Sequence, residues 1–258
     1  MMKWRAVSLL YCAFILVGLW IPMFSGGAVS AGGVPDSIRA TEAKNRAVPR
    51  IKLELAQAQF RFGAPIFIRI FKQESQLEVW LQDGARFRLF KTYPICAYSG
   101  ALGPKLQEGD GQAPEGFYFV RPNRFNPHSK FHLSFNLGFP NAYDRAHGRT
   151  GSYLMVHGQC VSIGCFAMAI RNPVAGVARN APIEEIWSMA DAAFRQGQAF
   201  FRVHIFPFRM DAANLDKHKA AQWADFWQNL SEGYRFFENS RRPPNVTVRN
   251  KRYVFAAP

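Results

Sequence analysis

With 258 residues, 48% of them hydrophobic, the chain is long enough for one well-buried domain with extensions and not clearly long enough for two. Its formal charge of +14 would suit anionic surfaces. However, Lys and Arg are scattered rather than massed on one helix, and no Gly-aromatic RNA-binding signature or C₂H₂ spacing is present, which excludes a dedicated nucleic-acid reader. There is no P-loop and no dinucleotide-binding glycine pattern, so no cofactor is expected.

The chain opens with a basic start, Lys3 and Arg5, an apolar stretch over residues 6–24 and a small-residue run over 25–33, the form of a bacterial export signal. Val29-Ser30-Ala31 favours cleavage after Ala31, with Ala28 as the second choice. The apolar stretch approaches the ~20 residues that span a bilayer, so residues 1–31 are a signal peptide or an uncleaved membrane anchor, and the remainder is expected in the periplasm. Residues 32–63 read as a tether and a short amphipathic helix, with Ile51, Leu55, Ala58 and Phe62 on one face, Pro49 near its start and Gly63 and Pro65 as its stop.

Aromatic and β-branched runs at 66–71, 77–81 and 87–90 predict strands, the last two joined by an Asp83-Gly84 turn. A loop rich in glycine and proline, 99–114, precedes a further strand at 116–120. Residues 132–137 alternate polar and apolar, and residues 152–156 read as a buried strand that delivers His157 at its end. The segment 182–194 is the clearest helix, with Pro182 in its first turn and Glu184 and Glu185 near the positive end of its dipole. A strand at 200–206 follows. Residues 211–258 then form an extension with a basic-aromatic helical stretch, read as packed on the core rather than as a glycan platform, and a final strand pair.

Three cysteines lie beyond the export signal, Cys96, Cys160 and Cys165, so in an oxidising compartment at least one thiol lacks an internal partner. A Cys96–Cys160 disulfide would leave Cys165 free, whereas a Cys160–Cys165 bond would make a redox-gated site. His157 and Cys165 are eight residues apart, a link that extends over at most ~26 Å and can fold back to bring imidazole and sulfur together. A thiol nucleophile needs such a base, and donors for the oxygen that becomes negative. The amides of Gly164 and Cys165 are candidates for those donors, with Ser162 orienting the loop. On spacing alone, Cys165 could equally be an inert buried thiol and His157 a core histidine. A zinc site from His147, His157, Cys160 and Cys165 is a weaker alternative without a paired ligand knuckle, so no metal is expected.

The stretch SIGC, 162–165, preceded by an apolar strand ending in His157-Gly158, resembles the S-x-G-C signature of the L,D-transpeptidase (YkuD-type) catalytic domain. Ser99-Gly100 and Pro114-Glu115-Gly116 are similar to that family's substrate-loop region, and the run over 139–168 resembles a Gram-negative cell-wall subgroup. The resemblance covers about residues 64–210 and continues into the extension. It implies a mainly β fold with α additions, a YkuD-like β-sandwich or barrel catalytic domain with flanking helices. It also implies a cysteine that attacks the carbonyl after the L-centre of meso-diaminopimelate in a peptidoglycan stem peptide, releasing D-alanine and forming a thioester. Cys165 takes the nucleophile's role and His157 the base's. Two departures, the short His157-to-Cys165 link and Ala167 where the family carries arginine, leave open transfer to an amine or hydrolysis by water, including release of a peptidoglycan-linked outer-membrane lipoprotein. A non-catalytic peptidoglycan-binding module is the alternative from another class.

Arg145 and Arg149, just before the catalytic strand, could hold a substrate carboxylate, with Tyr143 and Asn141 lining the same groove. Ser99 and Gly100 are further substrate-binding candidates, and His147 is the alternative base.

Overall fold

A computed structural model describes residues 1–2, 32–171 and 178–258. The export-signal and anchor readings fall on residues 3–31, outside the described residues. No described helix is long and apolar enough to cross a membrane.

The first helix, α1 (Ile38–Gln57), is N-capped by Ser37, whose side chain accepts from the Ala40 amide at 3.1 Å. Residues 38–47, expected to be tether, are therefore helical, and Pro49 lies inside the helix rather than at its start. A proline in mid-helix costs about 3 kcal/mol. Burial of Ala40, Ala43, Ala47, Ile51 and Leu55 offsets that cost. Three of those five positions are alanine, which is why the apolar pattern of the first half went unread.

Strands β1 (Ile66–Phe71), β2 (Gln76–Asp83), β3 (Arg86–Pro94) and β4 (Gly116–Val120) follow, then short β5 (Phe125–Asn126) and β6 (Ser134–Asn136). A short helix, α2 (Ala142–Ala146), leads to β7 (Met155–His157) and β8 (Phe166–Ala167). Beyond these come a small pair, β9 (Ile170–Arg171) with β10 (Ala178–Arg179), helix α3 (Ala181–Arg195) and β11 (Phe201–Phe206). The chain ends with α4 (Ala212–Lys217), α5 (Ala224–Ser240) and a hairpin of β12 (Asn245–Arg249) and β13 (Arg252–Ala256).

The main sheet has the order β3-β2-β1-β11-β4, antiparallel except for the parallel pair β1 and β11. Because side chains alternate between faces, Ile66, Ile68, Ile70, Val203 and Ile205 enter one core with α1, α3 and a second sheet of order β5-β6-β7-β8. Phe71, Phe117 and Phe206 enter another core with Phe226, Trp227 and Leu230 of α5, and Phe67 packs with Trp80 and Phe237. Both faces are thus covered, and β1 is buried along its whole length. The described residues from Gly32 onward form one compact unit, so the extension is packed on the rest of the domain rather than standing apart.

Two expected strands are shorter than their apolar patterns. His132 has φ 74° and Tyr153 has φ 54°, and those left-handed residues stop the chain from pairing until Ser134 and Met155.

Lys72 and Glu115, both fully buried, form an ion pair at 2.9 Å. The Lys72 ammonium also donates to the carbonyls of Gly103 and Ala113, while Glu115 accepts from the Gly103 amide and the Trp227 indole. This cluster fastens both ends of the 99–114 loop to α5.

Candidate active site

Strands β7 and β8 run parallel, with Val156 opposite Phe166 and His157 opposite Ala167. Val156 and Phe166 point into the core. Alternation then sends His157 and Cys165, which immediately precedes β8, to the other face as diagonal neighbours. Strand geometry puts their Cα atoms roughly 8 Å apart. Both side chains line one cavity of about 450 Å³, together with Lys105, Phe131, Tyr153 and Ile163.

Cys165 is a free thiol of intermediate exposure, and it donates to the Tyr153 carbonyl at 3.6 Å. Burial pushes its pKa up, against the Met155 backbone and the Lys105 charge, which favour the thiolate. The resting group is therefore the protonated thiol.

His157 is 2% exposed, stacked on Phe131, and its Nδ1 hydrogen-bonds the Gly158 carbonyl. A carbonyl only accepts, so Nδ1 carries the proton and Nε2 keeps its lone pair. Burial holds the imidazole pKa below its ordinary value, with the Gly158 carbonyl opposing. The same direction holds for fully buried His204. Both folded pKa values lie below the unfolded value of about 6.5. Stability is therefore fully present above that value and is lost as pH falls through it towards the folded pKa values. Melting temperature measured from about pH 7.5 to about pH 5 should fall, with a shallower slope in His157→Gln.

Ser162 organises the loop that leads into Cys165. Its hydroxyl donates to the Cys165 carbonyl at 2.8 Å and accepts from the Gly164 amide at 3.1 Å. The expected role of Gly164 as an oxyanion donor is therefore corrected: its N–H is committed within the loop. Gly164 is needed for its φ of +135°, and a side chain there would press on Leu154 and the Gln112 backbone.

Cys96 and Cys160 are disulfide-bonded, with Cα atoms 5.4 Å apart and a sequence separation of 64. The bond ties the loop that leads into Cys165 to the segment beside β8, where the Cys96 amide donates to the Ala167 carbonyl. Closing a loop of that length removes unfolded-state freedom worth about 2–4 kcal/mol. Reduction should lower the unfolding free energy by that amount, read from urea denaturation with and without dithiothreitol, while Cys165 stays alkylatable.

The structure does not bring the other expected substrate contacts to this cavity. Arg149 is buried against Asp144 at 2.8 Å, and its guanidinium covers the rings of Tyr143 and Phe226. Tyr143 stacks on Tyr253 at 4.3 Å. Arg145 bonds the Pro140 carbonyl on the surface. Asn141 caps α2 and donates to the Tyr253 hydroxyl. These residues fasten α2 to the sheet and the terminal hairpin. His147 bonds the Lys251 carbonyl and stacks on Tyr143, and it does not line the cavity that holds His157 and Cys165. With Cys160 in a disulfide as well, the four zinc candidates are not gathered, and no group of three potential ligands occurs among the described residues.

Ser99 meets Ser162 at 3.4 Å between hydroxyls, behind the nucleophile loop. Gly100, at φ 85°, makes room for Gln112, which bonds Ala101 and Gly103 and shapes the loop. The 99–114 loop instead contributes Lys105, 4% exposed and paired with Asp110, together with Glu108 and Gly109. Lys105 went unread in sequence; a lone lysine among glycines, with Asp110 five residues on, was its only signal. Tyr153, at φ 54° and 72% exposed on the cavity rim, is strained backbone of the sort that collects at functional sites.

Mixed sheets with several added helices make a mainly β domain, in which a free cysteine and a tautomer-fixed histidine share one cavity. No protein-family model matches the chain. Over 196 residues, 76% of this chain and 76% of the relative, it is 47% identical to the protein named "Putative L,D-transpeptidase YafK" from Escherichia coli K12, and equally to that of strain O157:H7. The chain belongs to the L,D-transpeptidase family. Solved structures similar to it include the helical cell shape determining protein Pgp2 of Campylobacter jejuni, 16% identical with TM-score 0.42 over 76% of this chain and 79% of that one. Bdellovibrio bacteriovorus Bd1075 is 19% identical with TM-score 0.39, over 67% and 58% respectively.

Proposed function

We propose that this chain is an exported, cysteine-dependent L,D-transpeptidase acting on meso-diaminopimelate-containing peptidoglycan stems in the periplasm. The observation that carries the reading is the placement of Cys165 and His157 on one face of the β7 and β8 ladder, in one cavity, with Nδ1 of the histidine held by Gly158. The Cys96–Cys160 disulfide supports an oxidising compartment.

In the proposed reaction, Nε2 of His157 takes the thiol proton as Sγ bonds to the carbonyl after the L-centre of the stem. The carbonyl oxygen becomes negative near the Cys165 amide, the donor that remains once Gly164 is committed to Ser162. The carbon–nitrogen bond to D-alanine then breaks, and the imidazolium returns the proton to the leaving amine. An acceptor amine attacks the thioester and releases the thiol.

A second reading, with water in place of the amine and a lipoprotein as leaving group, is favoured by the cavity rim. Ile163 is 87% exposed, Tyr153 72% and Val161 51%, an exposed apolar border of the kind that meets a protein partner.

Intact-mass analysis after exposure to a tetrapeptide stem tests the first step. The expected result is the acyl mass on Cys165, discharged by an added amine. Absence of any adduct under turnover would reject thiol catalysis. Incubation with lipoprotein-linked sacculi separates the two fates: gained linkage supports transfer, and loss of linked muropeptides supports hydrolysis.

A further inference from the structure

His157 is held at one ring nitrogen, through Nδ1 to the Gly158 carbonyl. The χ2 torsion of a histidine is broad and roughly two-fold, so one bond is weak control over which nitrogen meets the cavity. A second restraint comes from Phe131. Its ring stacks on the imidazole with centroids 4.7 Å apart and planes 29° from parallel, and it lines the cavity that holds Cys165. Phe131 is itself 39% exposed, whereas the histidine it covers is 2% exposed, so this ring is a cover on His157 rather than part of the core.

Phe131 lies in the connection between β5 and β6, and connections of that kind are ordinarily loosely held. This one is tied to three other elements. Arg39 of α1 donates to the carbonyls of Ser129 at 2.8 Å and His132 at 3.0 Å, on either side of Phe131. The Phe131 amide donates to the Ser129 hydroxyl at 3.1 Å. His132, at φ 74°, reaches Glu184 of α3 at 2.8 Å, and Gln159, just beyond β7, donates to the Lys130 carbonyl at 3.3 Å. Gly158 completes the arrangement. A Cβ there would stand 2.8 Å from the Phe131 carbonyl oxygen and 3.0 Å from the His132 Cβ, so only a residue without a side chain lets the connection close on the end of β7.

We propose that Phe131 is a positioning residue for the reaction: its ring holds the His157 imidazole with Nε2 toward Cys165, and Arg39 of α1 keeps that ring in place. The role rests on Cys165 as nucleophile and His157 as base. Stacking acts in two ways. It fixes the plane of the base, and misplacement of a reacting group by about 1 Å can cost roughly 10²-fold in rate. The negative face of the phenyl ring also favours the imidazolium formed when Nε2 takes the thiol proton over the neutral ring, a gain confined to the reacting state. Through Arg39, the helix that precedes both sheets in sequence becomes part of the support of the base.

The test compares Phe131→Leu, which keeps an apolar cover without a stacking face, with Phe131→Tyr, which keeps the face, and with Arg39→Ala. Long-range proton–nitrogen NMR spectra of the substrate-free full chain read the His157 tautomer. The parent and Phe131→Tyr should show the Nδ1–H form alone, and Phe131→Leu and Arg39→Ala should add an Nε2–H population. With a tetrapeptide stem, kcat should fall roughly 10–100-fold in Phe131→Leu and less in Arg39→Ala, with KM within about twofold, and Phe131→Tyr should restore it. If Phe131→Leu does not fold, Arg39→Ala decides. A parent-like tautomer and kcat in a folded variant, an equal loss in Phe131→Tyr, or a change carried by KM alone overturns the proposal. The tautomer spectra need no turnover, so they judge the placement of the ring separately from the transpeptidase reading, which stands or falls on the Cys165 adduct.

Discussion

A Cys165→Ala variant is expected to lose turnover of a tetrapeptide stem by roughly 10⁴-fold while melting within about 1 °C of the parent. The thiol is partly exposed at a cavity wall and donates one weak bond, to the Tyr153 carbonyl, so its removal leaves little unsatisfied. The covalent step has no substitute atom, and residual rate can come only from binding and the loop dipoles. His157→Gln should cost roughly 10²–10⁴-fold, because the thiol pKa is raised by burial and no other imidazole shares the cavity. The wild-type acid limb should lie below the ordinary imidazole pKa, since the base works in its neutral form and burial holds it neutral to lower pH. Muropeptide chromatography against pH reads both effects. Retention of all cellular activity by Cys165→Ala would favour a non-catalytic wall-binding module and defeat both enzyme readings.

The second large effect is structural. Replacing Glu115 with leucine leaves the Lys72 ammonium in a fully buried position without its counter-charge, and strips the Trp227 indole and the Gly103 amide of their acceptor. Breaking a buried pair on one side costs about 3–5 kcal/mol, which for a unit of this size lowers the melting temperature by roughly 10 °C. The double variant Lys72→Met, Glu115→Leu should recover much of that loss, because neither charge is then stranded. If the double variant melts no higher than Glu115→Leu alone, the hydrogen bonds rather than the charge carry the stability. The same substitution should slow acylation of Cys165, since it loosens the loop that carries Lys105 and packs on Gly164 through Gln112.

Elements with strong local signals were legible. β1 is apolar at all but one position because both faces are covered, and α3 announces itself through Pro182 and its acids. The first half of α1 was not legible, since its buried face is built from small alanines that matter only against α3. Strand starts at Ser134 and Met155 were also hidden, because the positive φ of His132 and Tyr153 belongs to the backbone path and leaves no mark in residue type.

At the site, the residue spacing determined which groups could meet: an imidazole and a thiol joined by a short, glycine-bearing link, and three cysteines that leave one over. Only the tertiary structure decided which contacts are made. Arg149 looked like a substrate clamp until Asp144 was seen to occupy it, and the Gly164 amide looked available until Ser162 claimed it. Lys105 joined Cys165 from sixty residues away, through a loop fastened at Lys72 and Glu115. The division has a physical cause. Covalent spacing limits local reach, whereas the partner of a charge or an amide is set by packing between distant segments, where a buried group must be paired by whatever the fold places beside it.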